Sequence, residues 1–273
     1  MCLIVFSWQP GTATPLVMLA NRDEYYDRPT LPLHDWDDHP MILGGRDLVG
    51  QGSWLAFSRA GRFAAVTNFR ETPPEDGKNS RGQLVSHFLR DNYPPLTFLT
   101  RLEKKAADYA GFNLLLGDTT GLYYFSNRGG RPKTLAPGLY GMSNHLLDTP
   151  WPKLKKAKAG LSAMLKQPIW WNRAEDAMGI MHDTCGPDDE ILSNTGADLN
   201  EERLSTRCFI HGDFYGTRNT SFIRINAQGH LEWHEQLYGV RGVKKTMLSR
   251  SIQWLPKNRK MSFTAEKIKP IDY

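Results

Sequence analysis

The stretch CLIVFSWQPGTATPLVMLANRDE, residues 2–24, decides the fold because it predicts two neighbouring antiparallel strands. Its two apolar runs are rich in β-branched residues, and the Gln-Pro-Gly-Thr segment at 9–12 between them favours a turn. A hairpin returns the chain on itself, so the charged residues after the second run lie beside the start of the first. We therefore expect Cys2 and Arg22 to share one end of a sheet.

Cys2 is a candidate nucleophile, because removal of the initiator methionine would free its α-amine. A thiolate is a strong nucleophile, but it needs a nearby base or cation to form at neutral pH. An α-amine titrates near about 8, so it can act as the general base for the thiol of its own residue. A carboxylate from Asp23 or Glu24 would hold the ammonium form, and Arg22 would stabilise developing negative charge. Taken alone, however, Cys2 is more often a small buried hydrophobic residue.

The composition predicts one packed domain spanning residues 1–273. Hydrophobic residues make up 40% of the chain and aromatic residues 11%, which is enough for a core. The formal net charge is +5, but no basic-aromatic module accompanies it, so nucleic acid is not an expected partner. The densest basic run, KLKKAKAGLSAMLK at 153–166, is interpreted as the solvated face of a helix.

The three cysteines, Cys2, Cys185 and Cys208, form no framework spacing, and their odd number argues against a disulfide scaffold. The N-terminal apolar run is too short for a signal peptide, and no run is long enough to span a bilayer. A cytoplasmic location without a membrane span is the expectation.

The order of elements predicts an α+β fold. Strands are expected in the first 70 residues, near 112–145 and again from 206 to 238. Helices are expected at 83–92, 96–109, 151–165 and 174–184, with a peripheral C-terminal tail at 249–273. Because strands and helices are segregated rather than alternating, stacked layers of antiparallel sheet and helix are favoured.

Segment 25–41 is rich in Pro, Asp and His and is interpreted as a loop. Its histidines, His34 and His39, lie among aspartates but show no tight ligand spacing, so no metal site is predicted. The chain also lacks the P-loop, GxGxxG, HExxH, CxxC and GxSxG patterns. No cofactor is therefore expected.

Three further polar residues follow or interrupt predicted strands. Asn68 ends one strand and Asn144 follows another, and each could be a turn former or an amide donor to an oxyanion. Arg218 lies in the polar stretch YGTRNTSF, where an arginine is usually a surface residue.

Several segments together resemble one family. They are MCLIVF, ANRDEYYDRP, GGRDLVGQGSWLAFSRAGRFAAVTNFRE, SRG, YAGFNLLLGD and GLYGMSNHLLDTPWPK. Their joint occurrence in this order is similar to the NRDE-motif family, also called the transport and Golgi organisation protein 2 family. The resemblance is strong from residue 1 to about 153 and weaker through FYGTRNTSFIRI to about 238.

That resemblance implies the N-terminal-nucleophile hydrolase superfamily, with a four-layer α-β-β-α fold of two stacked antiparallel sheets. Its functional cousins are cysteine amidases that open penicillin V or cleave conjugated bile salts. By position, Cys2 matches their nucleophile, Arg22 and Asp23 match a neighbouring Arg and Asp, and two asparagines match oxyanion donors. The asparagines are Asn68 and Asn144.

Two positions match that pattern inexactly. The corresponding motif of these amidases is R-N-x-D, whereas this chain has N-R-D-E, so either Asp23 or Glu24 could bind the amine. Arg218 lies near a further arginine of the cousins, without a defined register.

Two functions follow as hypotheses. The first is a cysteine amidohydrolase that cleaves a small-molecule amide through a Cys2 thioester. The alternative is a carrier of haem or an acyl lipid on the same scaffold, with an apolar pocket for the ligand. Aromatic residues could line such a pocket, although core packing is the commoner role of such residues: Trp36, Trp54, Phe69, Trp151 and Trp170.

Overall fold

A computed structural model describes residues 2–71, 73, 77–169, 174–185 and 206–254. Its strands, in chain order, are β1 (Cys2–Trp8), β2 (Leu16–Tyr25), β3 (Thr30–Asp35), β4 (Ile42–Asp47), β5 (Leu55–Ser58), β6 (Arg62–Asn68), β7 (Phe112–Asp118), β8 (Gly121–Ser126), β9 (Lys133–Thr134), β10 (Gly138–Met142), β11 (Tyr215–Ile225), β12 (His230–Tyr238) and β13 (Lys244–Gln253). Its α-helices are α1 (Gly82–Arg90), α2 (Pro95–Glu103), α3 (Pro152–Leu165) and α4 (Ala174–Gly179).

The strands form two antiparallel sheets. The first has the order β10-β1-β2-β11-β12-β13, and the second runs from β3 to β9 in chain order. Strand β1 shows how the layers arise: Ile4 and Phe6 pack into the core between the sheets, whereas Leu3 and Val5 pack against α3 and α4. This is the two-residue alternation of a strand buried on both faces.

Helices cover the outer face of each sheet. The core on one side joins α1 and α2 to the second sheet, and the core on the other joins α3 and α4 to the first. The predicted four-layer α-β-β-α sandwich is therefore confirmed. None of the helices in the described ranges is both long and apolar enough to cross a membrane.

The predicted hairpin is confirmed, with Cys2 directly opposite Arg22 across β1 and β2. Both strands are interior, because β10 pairs with β1 and β11 pairs with β2. Strand β11 has an irregularity between Thr217 and Asn219, which leaves Arg218 outside the regular register. Cys2 therefore starts a central strand rather than an edge strand.

The interpretation of segment 25–41 as a loop is wrong, because β3 lies within it. Strand β3 is an edge strand of the second sheet, where Pro32 is tolerated because its missing N–H faces no partner strand. His34 belongs to this strand, and its Nδ1 lies 2.7 Å from the carbonyl oxygen of Pro32. Across the described ranges no group of His, Cys, Asp and Glu is arranged to hold a metal ion.

The end of the chain also differs from expectation. Residues 249–253 are not a tail but part of β13, and Trp254 is fully buried with its Nε1 donating to the carbonyl of Arg62 at 3.3 Å. The remainder of that predicted tail, 255–273, lies outside the described residues. The predicted strand at 206–212 is also wrong, since only His211 forms an isolated bridge, with Gly216.

Candidate active site

A cavity of about 480 Å³ opens at the Cys2 end of the first sheet. We call it the Cys2 cavity. Side chains from both sheets and from the segment preceding α1 border it, and six of them matter for its chemistry: Cys2, Arg22, Asp23, Glu24, Asn68 and Arg81. The two sheets thus bring residues from three distant parts of the chain to one place.

The Cys2 thiol is free and partly buried at the first position of β1. Its side chain packs against the core between the sheets, and its carbonyl oxygen accepts a 3.0 Å hydrogen bond from Oγ of Ser143. Burial raises the pKa of the Cys2 thiol. With residue 1 attached, the thiol is therefore largely protonated at neutral pH.

Arg22 and Glu24 form a charged network beside this thiol. The Arg22 guanidinium lies 4.4 Å from the ring centroid of Trp54, and its Nη2 is 3.7 Å from Oε2 of Glu24. Glu24 also lies 3.9 Å from Nε of Arg28, whose Nη2 is 2.8 Å from Oδ2 of Asp47. The Glu24 carboxylate is thus shared between two arginines.

Asp23 follows Arg22 along β2, so its side chain leaves the opposite face of the sheet. Its carboxyl is buried, and Oδ1 accepts a 2.7 Å hydrogen bond from the hydroxyl of Thr217. The Tyr215 hydroxyl donates to the carbonyl oxygen of Asp23 at 3.1 Å. Burial raises the pKa of Asp23.

Asn68 borders the cavity at the end of β6, while Asn144 lies buried behind it. Nδ2 of Asn144 donates to the carbonyl oxygen of Asn68 at 3.3 Å. Oδ1 of Asn144 accepts from Nζ of Lys153 at 3.2 Å and lies 3.1 Å from Oγ of Ser143, whose single proton is shared between this oxygen and the carbonyl oxygen of Cys2. The orientation of the Asn144 amide is therefore set by donors on one side and an acceptor on the other.

Lys153 corrects the interpretation of the 153–166 run as a solvated face. Its side chain is only 3% exposed, and burial lowers its pKa. The rest of α3 is amphipathic, with Leu154 and Leu161 packed toward the first sheet and Lys155 exposed. The sequence did not identify Lys153 as a buried residue, because nothing local distinguishes it from the exposed lysines of the same basic run.

Arg218 lies apart from the Cys2 cavity. Its Nη1 donates to the carbonyl oxygens of Tyr25 at 2.7 Å and Arg28 at 3.2 Å. It borders a smaller cavity of about 110 Å³, which Arg22 also borders. Arg22 therefore lies between the two cavities, with Cys2 on one side and Arg218 on the other. The predicted role of Arg218 in the site stays a prediction.

Arg81 was not among the predicted site residues, although it belongs to the SRG segment that contributes to the family resemblance. It precedes α1, and Nη1 donates to the carbonyl oxygen of Gly111 at 3.1 Å. The main chain at Gly82 touches the main chain at Gly52 so closely that a Cβ on Gly52 would collide with it. Ser53 N also donates to the carbonyl oxygen of Gly82 at 3.1 Å, which fixes the start of α1 against the second sheet.

The aromatic candidates do not form one pocket. Trp54 borders the Cys2 cavity, whereas Trp36 is buried in the core beneath α1 and α2. Phe69 packs its ring 4.8 Å from that of His145, Trp151 packs against the core beneath α3, and Trp170 lies outside the described residues. Most of them have the core role that was the commoner expectation.

Comparison with known proteins identifies similar chains. The family model described as Transport and Golgi organisation 2 matches residues 1–239. The chain is 32% identical over 257 residues to the Transport and Golgi organization protein 2 homolog of Homo sapiens, covering 86% of this chain and 92% of that protein. It is 31% identical over 261 residues to the Mus musculus homolog, with the same coverage.

Among solved structures, the chain is similar to a Caenorhabditis elegans N-acylethanolamine-hydrolyzing acid amidase ortholog. The TM-score is 0.40 at 8% identity, over 81% of this chain and 92% of that one. The fold assignment therefore rests on the sheets and helices of this chain itself.

Proposed function

The chain belongs to the Transport and Golgi organisation 2 family, and we propose that it hydrolyses a linear, non-peptide amide with Cys2 as the nucleophile. The position of Cys2 is the observation that supports this most. Its thiol stands at the first residue of a central strand, beside a cavity bordered by arginine and asparagine side chains. Such a cavity offers cations and amide donors to a developing oxyanion.

The proposed reaction begins once Met1 is removed and the nitrogen of Cys2 becomes an α-amine. This amine takes the proton from the thiol, and the thiolate sulfur attacks the amide carbonyl carbon. The tetrahedral intermediate then breaks its C–N bond, and the α-ammonium returns the proton to the leaving amine. A thioester remains on Cys2. The amine next takes a proton from water, the hydroxide attacks the thioester, and the acid leaves as sulfur regains a proton.

Between Asp23 and Glu24, the contacts favour Asp23 as the residue that holds the ammonium. Glu24 is already held between Arg22 and Arg28. Asp23 is buried and borders the same cavity as Cys2, and its negative charge acts on the thiol. An ammonium beside Asp23 would also offset the cost of burying its carboxylate.

Asn68 and Asn144 receive different roles in this proposal. Asn68 borders the cavity, so its side-chain amide is the candidate oxyanion donor. Asn144 instead donates to the carbonyl oxygen of Asn68. We therefore assign Asn144 as a positioning residue that keeps the end of β6 in place.

The carrier alternative has weaker support, because the cavity is bordered mainly by polar and charged groups. Among the described residues, its apolar border consists of Trp54, Val66 and Ala110, with the ring of Tyr25 and the edge of Cys2. A pocket for an acyl chain or a haem would instead be lined predominantly by hydrophobic side chains.

The test uses the purified full chain and a panel of fluorogenic acyl-aminocoumarin amides. Intact mass is recorded first to establish whether Met1 is removed, and then after brief exposure to each amide. We expect an acyl adduct that maps to Cys2 and decays with release of acid. Cys2→Ala should form none, whereas Cys185→Ala, a control at an exposed cysteine, should behave as the parent protein. Undiminished hydrolysis by Cys2→Ala would overturn the proposal.

A further inference from the structure

The cations that border the Cys2 cavity differ in whether a carboxylate neutralises them. Arg28 is held by Asp47 and Glu24, and Arg22 shares Glu24. Lys78 lies 3.1 Å from Asp108 but is 82% exposed, so that pair contributes little. Among the residues that the structure describes, Arg81 is the exception.

No carboxylate of the described residues lies within ion-pair distance of the Arg81 guanidinium. The nearby Glu71 is instead paired with Arg128. The Arg81 side chain is nevertheless partly buried, and this burial lowers its pKa. A partly buried cation that lacks an anion is costly, and an incoming anion would remove that cost.

Arg22 carries a second unsatisfied group at the same cavity. Its side chain is 96% buried, and its Nη1 has no hydrogen-bond partner within the described part of the chain. Glu24 approaches Nη2 only at 3.7 Å, which is an ion-pair contact rather than a hydrogen bond. Two guanidinium groups with spare donor capacity therefore border one cavity.

From these contacts we propose that the Cys2 cavity recognises an anionic group of its ligand, a carboxylate or a phosphate, with Arg81 as the principal binding residue and Arg22 beside it. A guanidinium presents paired N–H donors that match both anions. The start of α1 adds to the positive potential, because Gly82 borders the cavity at the helix N-terminus. Only the identification of that ligand as the amide substrate rests on the proposed function; the anion site itself does not.

Arg81 could alternatively stabilise the thiolate of Cys2, since a negative charge on that sulfur would favour the charged form of Arg81. Two matched alkylating reagents separate the roles, because iodoacetate is an anion and iodoacetamide is neutral. Both form a carbon–sulfur bond and release iodide. A thiolate partner changes both rates equally, whereas an anion site favours iodoacetate alone.

The experiment measures both rates at Cys2 by peptide mapping in the parent protein, Arg81→Gln and Arg81→Lys. Arg101→Gln on α2 is the control, because it removes the same charge from an exposed position that does not border the Cys2 cavity. We expect Arg81→Gln to lower the iodoacetate-to-iodoacetamide rate ratio about fivefold, with the loss shrinking at high salt. The rate ratio of Arg81→Lys, which keeps the charge, should lie between those of the parent protein and Arg81→Gln.

An equal slowing of both reagents, or an unchanged ratio in Arg81→Gln, overturns the proposal. Protection of Cys2 from iodoacetamide by inorganic phosphate or by acetate, at constant ionic strength, identifies which anion is preferred, and protection by neither also overturns it. The readout does not require turnover. A protein that shows the ratio effect but never forms an acyl adduct keeps the anion site and loses the hydrolase assignment.

Discussion

Nζ of Lys153 donates to Oδ1 of Asn144 at 3.2 Å, in a position where both residues are almost completely buried. Asn144 in turn donates to the carbonyl oxygen of Asn68 at the rim of the Cys2 cavity. A lysine on α3 therefore supports, through one asparagine, the end of a strand in the other sheet. The interior of the site is held by polar contacts as well as by the apolar core.

Replacing Lys153 by Met should lower the free energy of unfolding by about 1–3 kcal/mol, because Oδ1 of Asn144 loses a buried donor. Urea unfolding measures the change. Lys155→Met is the control, since Lys155 is exposed on the same helix and should change stability by less than about 0.5 kcal/mol. Equal effects of the two substitutions would contradict the assigned role of Lys153.

Reactivity at Cys2 should depend on whether Met1 has been removed. In the unprocessed chain, burial holds the pKa of Cys2 above its usual value. Its alkylation rate should therefore keep rising above about pH 8.5, the ordinary thiol midpoint. Removing Met1 supplies an amine and should shift this profile to lower pH. Mapping iodoacetamide labelling from pH 6 to 10 in both forms tests the prediction, and superimposable profiles would contradict it.

Glu235 should make stability fall as the pH rises. Its carboxyl is fully buried, Oε1 accepts a 2.8 Å hydrogen bond from the backbone N–H of Leu33, and burial raises its pKa to about 7. An unfolded glutamate titrates near about 4.3. Between these values the folded state keeps a proton that the unfolded state has released, so stability is lost through this window.

The variant Glu235→Gln keeps the oxygen that accepts from Leu33 but carries no charge. The free energy of unfolding of the variant minus that of the parent protein should therefore increase by on the order of 3 kcal/mol from pH 4 to pH 8.5, because only the parent loses stability over this range. Urea unfolding at both pH values provides the comparison. The prediction fails if parent and variant show the same pH dependence.

Substitution of Gly52 by Ala should disturb the Cys2 cavity from a distance. The new Cβ would collide with the main chain of Gly82, which adjoins Arg81, and the backbone has no flexible end to move aside. We expect a loss of about 1–3 kcal/mol in stability together with slower labelling of Cys2 by iodoacetate. Gly179→Ala is the matched control, because nothing lies within 4 Å of the added Cβ. It should leave both measurements unchanged or slightly raise stability.

The sequence by itself determined the layers and the position of Cys2. Hydrophobic alternation and turn residues are local signals, so residues 2–24 predicted the β1–β2 hairpin and the placement of Cys2 and Arg22 at one end of a sheet, whereas the structure adds that the two residues are directly opposite. The segregation of strands and helices likewise predicted stacked layers of sheet and helix, and the family resemblance implied the four-layer order. The local signal failed at β3, where an edge strand tolerates Pro32, and at β13, whose stability comes from pairing with β12.

Only the tertiary structure decided which polar residues meet at the cavity and which do not. The burial of Lys153, the placement of Arg81 beside Cys2 and the separation of Arg218 from it all depend on contacts between segments distant in the chain. A side chain's local pattern specifies the face of its own element, but not the element that will cover that face. Burial, ion pairing and pKa shifts arise from those covering contacts, so they appear only when the sheets and helices pack together.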